Sequence, residues 1–193
     1  GKVDAAVARL EAGLKSRGIV ANLVVVSDHG MAPTSLDRQI FADDLLDLSA
    51  VKTVTMGAFW SLFPQPGHEA EVEKALLGPH AHLQCWRKGD IPARYHYGKN
   101  TRTPPIFCLP QTGWEITTHG YKPKEPNFGD HGFDPFSPEM RAVFIAQGPA
   151  FRHGVRLPVF DNVDVYPLLA KLLGVTPQPN DGRLSDIAPA LTK

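Results

Sequence analysis

The sequence has no excess of charge of either sign and no long hydrophobic run. Lys and Arg together number 20, as do Asp and Glu, so the formal net charge is zero. No long-range field therefore favours nucleic acid or an anionic membrane as a partner. No apolar stretch approaches the roughly 18 residues that cross a bilayer, and the amino-terminal residues lack the order of a signal peptide. We expect a soluble chain, or a soluble part of a longer one, with no nucleic-acid binding and no membrane span.

Cysteine is scarce, and several motifs of nucleotide-binding proteins and hydrolases are missing. Cys85 and Cys108 are the only cysteines, too few for a disulfide scaffold and at no zinc-ribbon or redox spacing. One disulfide and two buried thiols both remain open. The sequence has no Gly-x-Gly-x-x-Gly, P-loop or Gly-x-Ser-x-Gly pattern, which argues against dinucleotide binding, P-loop phosphoryl transfer and an α/β-hydrolase elbow. Ser27, Asp28 and His29 are contiguous, so they cannot converge as a catalytic triad.

What the chain does have is a globular composition with helix and strand periodicity. Hydrophobic residues make up 42% and charged residues 21%, values typical of a packed protein. A continuous apolar run at 22–27 is typical of a strand covered on both faces in a parallel sheet. A preceding helix is predicted from an apolar stripe and a terminal glycine. The stripe consists of Val3, Val7, Leu10 and Leu14, and Gly18 ends the helix.

The later elements continue this alternation. Apolar spacing predicts helices at 69–77 and 165–173, the second capped by Asp164 and stopped by Gly174. The fold class is therefore α/β, a mostly parallel sheet flanked by helices with a small β-rich insertion. No linker divides the chain, so residues 1–193 are expected to belong to one domain. Further strands are predicted at 51–56, 58–63, 83–87, 106–109, 114–117 and 142–146.

Two segments carry candidate site residues. Asp28 and His29 directly follow the strand at 22–27, and ligands gather at the carboxyl ends of strands in open α/β sheets. His131 lies between two glycines in a predicted loop at 118–139, and long loops in compact domains are commonly functional. A turn cap at Asp28 and solvated loop histidines are the alternatives. Carboxylate and imidazole together favour zinc or a similar ion.

The two segments also resemble a known family. They are Asn-Leu-Val-Val-Val-Ser-Asp-His-Gly-Met at 22–31 and Gly-Asp-His-Gly-Phe-Asp at 129–134, followed by Met-Arg-Ala-Val-Phe-Ile-Ala-Gln-Gly-Pro-Ala-Phe at 140–151 and Asn-Val-Asp-Val-Tyr-Pro-Leu-Leu at 162–169. In this order they resemble the carboxyl-terminal half of a type I phosphodiesterase/nucleotide pyrophosphatase, a member of the alkaline phosphatase superfamily. The resemblance implies a partial alkaline phosphatase-like core, with residues 1–193 as the carboxyl-terminal portion of a single catalytic domain.

The resemblance further implies a site for two zinc ions. Asp28 and His29 would ligate the zinc that activates the nucleophile, and His131 the other zinc, near the entering water. Two ions about 4 Å apart stabilise both the attacking and the leaving oxygens at phosphorus. The family's nucleophile is a Thr or Ser that forms a covalent nucleotidyl enzyme, and it lies with the other zinc ligands in the amino-terminal half. We therefore assign no nucleophile in this chain and expect the chain alone to be inactive.

Partners and location follow from the same resemblance. We expect a nucleotide or another small phosphodiester as substrate, the missing amino-terminal half as a partner, and a periplasmic or extracellular location. An exposed sheet edge would also favour an edge-paired homodimer. A phosphomonoesterase, a sulfatase-like enzyme and a non-catalytic binding module remain alternatives. The substrate-binding residues are not assigned, although the polar aromatic segment at 95–102 could border a substrate groove.

Overall fold

The computed structural model of the chain describes residues 1–122 and 128–192. It contains two compact units, Gly1–Asp28 with Ala142–Lys193 (the first unit) and His29–Arg141 (the second unit). The helices are α1 (Lys2–Ser16), α2 (Ala42–Leu45), α3 (Glu69–Leu76) and α4 (Val165–Leu173). The strands are β1 (Leu23–Val26), β2 (Ala32–Pro33), β3 (Gln39–Phe41), β4 (Val51–Thr55), β5 (Trp60–Pro64), β6 (Leu83–Arg87), β7 (Ile106–Pro110), β8 (Glu115–Thr117), β9 (Gly129–Asp130) and β10 (Phe144–Gln147).

The first unit combines α1, α4 and the strand pair β1–β10. The two strands pair antiparallel, with Val24 opposite Ala146, whereas the sequence predicted a parallel arrangement. Continuous apolar character indicates coverage of both strand faces but carries no information on strand direction. None of the residues of α1 is buried, so its predicted apolar stripe is accessible in this chain.

Helix α4 anchors the core of the first unit. Leu168 and Ile187 are fully buried and cluster with Phe151. Gly174 ends the helix in the left-handed conformation, with φ of 67°, as predicted. The predicted cap is wrong in detail. Asp164 occupies the N-cap position without a capping hydrogen bond, because its Oδ1 accepts from the backbone N–H of Arg183 at 2.6 Å.

The second unit is built around an antiparallel four-stranded sheet in the order β4–β5–β7–β6. Helix α3 packs on it through Val72 and Leu76, which are fully buried with Trp60 and Leu62. The indole N–H of Trp60 donates to Thr53 Oγ1 at 3.0 Å, so its polar atom is satisfied inside the core. The predicted β-rich insertion is thereby confirmed.

Two further strand pairs complete the second unit. Strand β3 pairs parallel with β8, and β2 pairs antiparallel with β9. The predicted loop at 118–139 contains β9 and a short 3-10 helix at Pro138–Met140, and its residues 123–127 lie outside the described part of the chain.

The mixture of helices and strands confirms the α/β class, but the predicted mostly parallel sheet differs from the observed pairing. Among the described residues β3–β8 is the parallel pair, and the other strand pairs are antiparallel. Within residues 1–122 and 128–192, no helix has the length and apolar character needed to cross a bilayer.

The two cysteines form a disulfide that joins β6 to β7. Cys85 and Cys108 stand directly opposite each other in the antiparallel register, with Cα atoms 4.0 Å apart. Both are buried in the core under α3. Of the two possibilities that the sequence left open, the structure therefore has the disulfide.

Removing this disulfide is expected to destabilise the protein substantially. The bond joins residues 23 apart, and closing a loop of that size in the unfolded chain contributes roughly 3 kcal/mol. The double change Cys85→Ala with Cys108→Ala should lower the free energy of unfolding by that amount, measured by denaturant titration with tryptophan fluorescence. Reducing agent should reproduce the effect in the wild type and leave the double variant unchanged. Equal unfolding midpoints for wild type and variant would refute the expectation.

Candidate metal centre

The pairing of β2 with β9 brings the two sequence motifs together in the second unit. Ala32 lies opposite Asp130 and Pro33 opposite Gly129. Because the strands run antiparallel, the start of β2 and the end of β9 lie at the same end of the pair. His29 precedes β2 and His131 follows β9, so both imidazoles emerge at that end.

The two imidazole rings lie against each other. The ring centroids of His29 and His131 are 3.8 Å apart with an interplanar angle of 17°. His29 Nδ1 lies 2.8 Å from the carbonyl oxygen of Gly30. A carbonyl oxygen only accepts, so Nδ1 is the donor in this contact. Metal-binding histidines commonly donate from one ring nitrogen to a protein acceptor in this way.

Gly30 fixes the backbone immediately after His29. Its N–H donates to the carbonyl of Met140 at 3.0 Å. A Cβ at this position would lie 2.0 Å from the carbonyl oxygen of Glu139 and 2.8 Å from that of Arg141. Only glycine permits this close approach between two backbone segments, which holds the His29 turn against residues 139–141.

The residues immediately before and after His131 restrain its backbone. Its backbone N–H donates to Asp130 Oδ1 at 2.8 Å. Gly132 has φ of +106°, and a Cβ there would lie 3.2 Å from the ring of Phe59. Phe133 is buried with Ala32, Ala58 and Met140. The segment around His131 therefore packs onto the second unit through Phe133, whereas the side chain of His131 itself is exposed.

Asp28 lies at the end of the first unit. Its side chain is exposed, and its carbonyl oxygen accepts from Asn162 Nδ2 at 2.9 Å. Across residues 1–122 and 128–192, no three His, Cys, Asp or Glu side chains are gathered as a metal ion would require. Of the three predicted ligands, the structure thus brings His29 and His131 into contact, and Asp28 is the residue that precedes His29 in the chain.

The donors present fit zinc in kind but not in number. Imidazole nitrogen and carboxylate oxygen are zinc ligands, and catalytic zinc sites use three protein ligands for each ion. A two-zinc centre therefore needs ligands beyond Asp28, His29 and His131. These residues fit a partial site.

A pair of carboxyl groups beside this centre was not predicted from the sequence. Glu115 and Asp130 border a cavity of about 400 Å³ that Met56 and Tyr121 also line. Burial, the charge of Asp130 and the hydrogen bond between the two groups raise the pKa of Glu115, and a hydrogen bond with Thr34 partly opposes the shift. No local pattern links residues so distant in sequence. Asp130 was part of a recognised motif, but nothing in the sequence pointed to Glu115 as its partner.

Comparison with known proteins identifies the family of the chain. The model of the type I phosphodiesterase / nucleotide pyrophosphatase family matches residues 1–134. The chain is 35% identical to human ectonucleotide pyrophosphatase/phosphodiesterase family member 5 over 161 residues, which is 83% of this chain and 33% of that protein. It is 34% identical to human bis(5'-adenosyl)-triphosphatase ENPP4 over 183 residues, 94% of this chain and 40% of that protein. The chain belongs to the type I phosphodiesterase / nucleotide pyrophosphatase family.

Solved structures agree with this assignment. Human ectonucleotide pyrophosphatase/phosphodiesterase 5 superposes with a TM-score of 0.91 at 32% identity, covering 100% of this chain and 51% of that one. An inactive variant of the murine protein in complex with AMP gives a TM-score of 0.90 at 34% identity. The fold is therefore that of these enzymes, and the chain spans about half the length of the solved relatives and less than half that of the curated ones.

The Glu115–Asp130 pair is expected to make the stability of the protein depend on pH. Because the pKa of Glu115 is raised on folding, its effect on stability is most favourable below the ordinary glutamate pKa and is lost as pH rises through the folded value. Glu115→Gln should therefore raise the unfolding temperature of the metal-free protein at pH 7.5, and the gain should shrink towards pH 4.5. Glu139→Gln, an exposed change in the same unit, is the control. A gain that is equal at both pH values, or a loss at pH 7.5, would contradict the sign.

Proposed function

We propose that the protein carrying this chain is a zinc-dependent hydrolase of nucleotide phosphodiester or pyrophosphate bonds. The stacked pair His29–His131 is the observation that carries the proposal, since two imidazoles from distant segments meet at 3.8 Å. Family membership supplies the reaction class. Zinc, the nucleotide and the covalent nucleotidyl intermediate are the proposed details.

In this proposal Asp28 and His29 hold one zinc and His131 holds the other. The ions, when bound, supply Lewis-acid stabilisation of the negative charge that develops at phosphorus. The residues of the chain orient the donors. The Gly30 carbonyl keeps the proton of His29 on Nδ1, and the Asp130 carboxylate fixes the backbone of His131. The nucleophile is a Thr or Ser outside these residues.

Three further observations support the substrate and the location. AMP is bound by the murine relative, which supports a nucleotide as the substrate class. The curated relatives include ectonucleotide enzymes, and the Cys85–Cys108 disulfide is the kind of bond that persists in oxidising compartments. We therefore propose that the protein works in the periplasm or outside the cell.

Replacing either imidazole should abolish most of the activity. In the full-length protein, His29→Ala or His131→Ala is expected to lower kcat for a chromogenic phosphodiester by at least about 100-fold, because loss of a ligand exceeds the effect of losing an outer-shell contact. Chelation should inactivate the wild type, and added zinc should restore it. His153→Ala changes an exposed histidine and should have no effect. Near-normal turnover in either ligand variant would remove the assignment.

The ester class is tested in the same assay. Phosphodiester and pyrophosphate substrates should be hydrolysed faster than a phosphate monoester or a sulfate ester. A preference for the monoester would favour a phosphomonoesterase, and a preference for the sulfate ester would favour a sulfatase-like enzyme.

The 193-residue chain alone is expected to show no turnover. Its phosphodiester hydrolysis, with zinc and with a chelated control, should be measured beside the full-length protein, and circular dichroism should establish that the isolated chain is folded. Zinc-dependent turnover near the full-length rate would place a nucleophile within these residues. Thr34 and Ser35, which follow the Asp28–His29 turn, would then be the first hydroxyls to test.

A further inference from the structure

A cluster of polar contacts converges on Asp134, three residues after His131. Arg94 donates from Nη1 to Asp134 Oδ1 at 3.2 Å and from Nη2 to Oδ2 at 2.7 Å. Tyr95 accepts a hydrogen bond from Arg94 and donates its own to Asp134 Oδ2 at 3.0 Å. The N–H of Phe136 donates to Oδ1 at 2.9 Å. We call this set of contacts the Asp134 clamp.

The clamp has a defined charge state at neutral pH. Burial favours a higher pKa for Asp134, but the hydrogen bonds from Arg94, the Phe136 N–H and Tyr95 outweigh it and lower the pKa. The ionised form therefore persists until the pH falls through that lowered value. Burial and the bond to Asp134 raise the pKa of Tyr95, so its hydroxyl retains the proton that it donates.

The contacts run over a short and restrained stretch of chain. Between His131 and Asp134 lie Gly132, which abuts the Phe59 ring, and the buried Phe133. Three residues span at most about 11 Å even when extended. Because Gly132 and Phe133 are packed, a displacement of Asp134 is expected to shift His131 as well.

Close packing does not restrain Asp134 from every side. A cavity of about 480 Å³ is lined by Arg94, Asp134 and Phe136 and by Trp86 and Leu109 of the sheet. The guanidinium of Arg94 lies over the rings of Tyr95 and Phe136, 4.1 Å and 5.2 Å from their centroids. Beside this open space, the directional polar contacts supply the restraint on Asp134 itself.

We propose that Arg94 and Tyr95 are positioning residues that act through Asp134 to hold His131 against His29. The pair is too exposed, at 49% for Arg94 and 27% for Asp134, to contribute much stability. Its bidentate geometry instead fixes position, and a metal site requires its ligands within about 0.5 Å of their working geometry. The consequence for metal binding rests on the function proposed above.

The second unit contains a matched control. Arg87 makes an equivalent bidentate pair with Glu73, at 2.8 Å and 2.6 Å, with exposures of 54% and 34%. Its partner Glu73 lies on α3, which is distant in sequence from both His29 and His131. Arg87→Met therefore removes the same kind of ion pair without touching the segment that carries His131.

The experiment compares Arg94→Met, Arg94→Lys and Arg87→Met in the full-length protein. For Arg94→Met we expect zinc affinity, measured by competition with a chromogenic chelator, to fall about 10- to 100-fold. Its unfolding temperature should stay within about 3 °C of wild type. Excess zinc should partly restore kcat/KM. Arg94→Lys keeps the charge but not the bidentate geometry, so its zinc affinity should lie between those of wild type and Arg94→Met. Arg87→Met should have the zinc affinity of wild type.

A second measurement separates this inference from the proposed function. In metal-free protein, amide hydrogen exchange of residues 129–136 should accelerate in Arg94→Met and not in Arg87→Met. If the wild type binds no zinc, the proposed function fails, but the exchange comparison still decides the positioning role. Unchanged exchange in Arg94→Met, or a zinc affinity equal to that of Arg87→Met, would overturn the inference.

Discussion

The antiparallel pairing of β2 with β9 is the constraint on which the candidate centre depends. It sets Ala32 opposite Asp130, and the direction of the two strands then places His29 and His131 at one end. A register shift of one residue would turn the side chains of β9 to the other face of the pair. The distance in sequence between the histidines is large, so this short ladder, more than any local motif, determines that their rings meet.

The surroundings of the pair combine close backbone contact with unfavourable charge. Gly30 allows the His29 turn to touch residues 139–141 with no side chain between them. Glu115 and Asp130 share a partly buried position in which one carboxyl group opposes ionisation of the other. Proteins tolerate such local conflicts mainly at functional sites. The conflict beside His131 therefore agrees with a binding or catalytic role for this end of the unit.

The sequence predicted local structure better than long-range partners. Periodicity located α1 and α4, and glycine placement located the end of α4 at Gly174. The Asp28–His29 and His131 segments were recognised from residue type and context. The direction of the β1–β10 pair, the disulfide and the partner of Glu115 were not predicted, because each depends on residues far apart in the chain. Arg94 had no signal of its own, and Asp134 belonged to a recognised motif without an assigned role.

Stability and geometry come from different interactions in the second unit. Trp60, Leu62 and Leu76 are fully buried, and burial of each such side chain contributes about 1.5–3 kcal/mol, to which the disulfide adds its constraint on the unfolded chain. The contacts nearest the histidines are instead part-exposed hydrogen bonds and an ion pair, which add little to the free energy of folding. Directional bonds restrict orientation, whereas apolar burial does not. A unit stabilised by its core can therefore use groups of small energetic weight to orient the segment that carries His131.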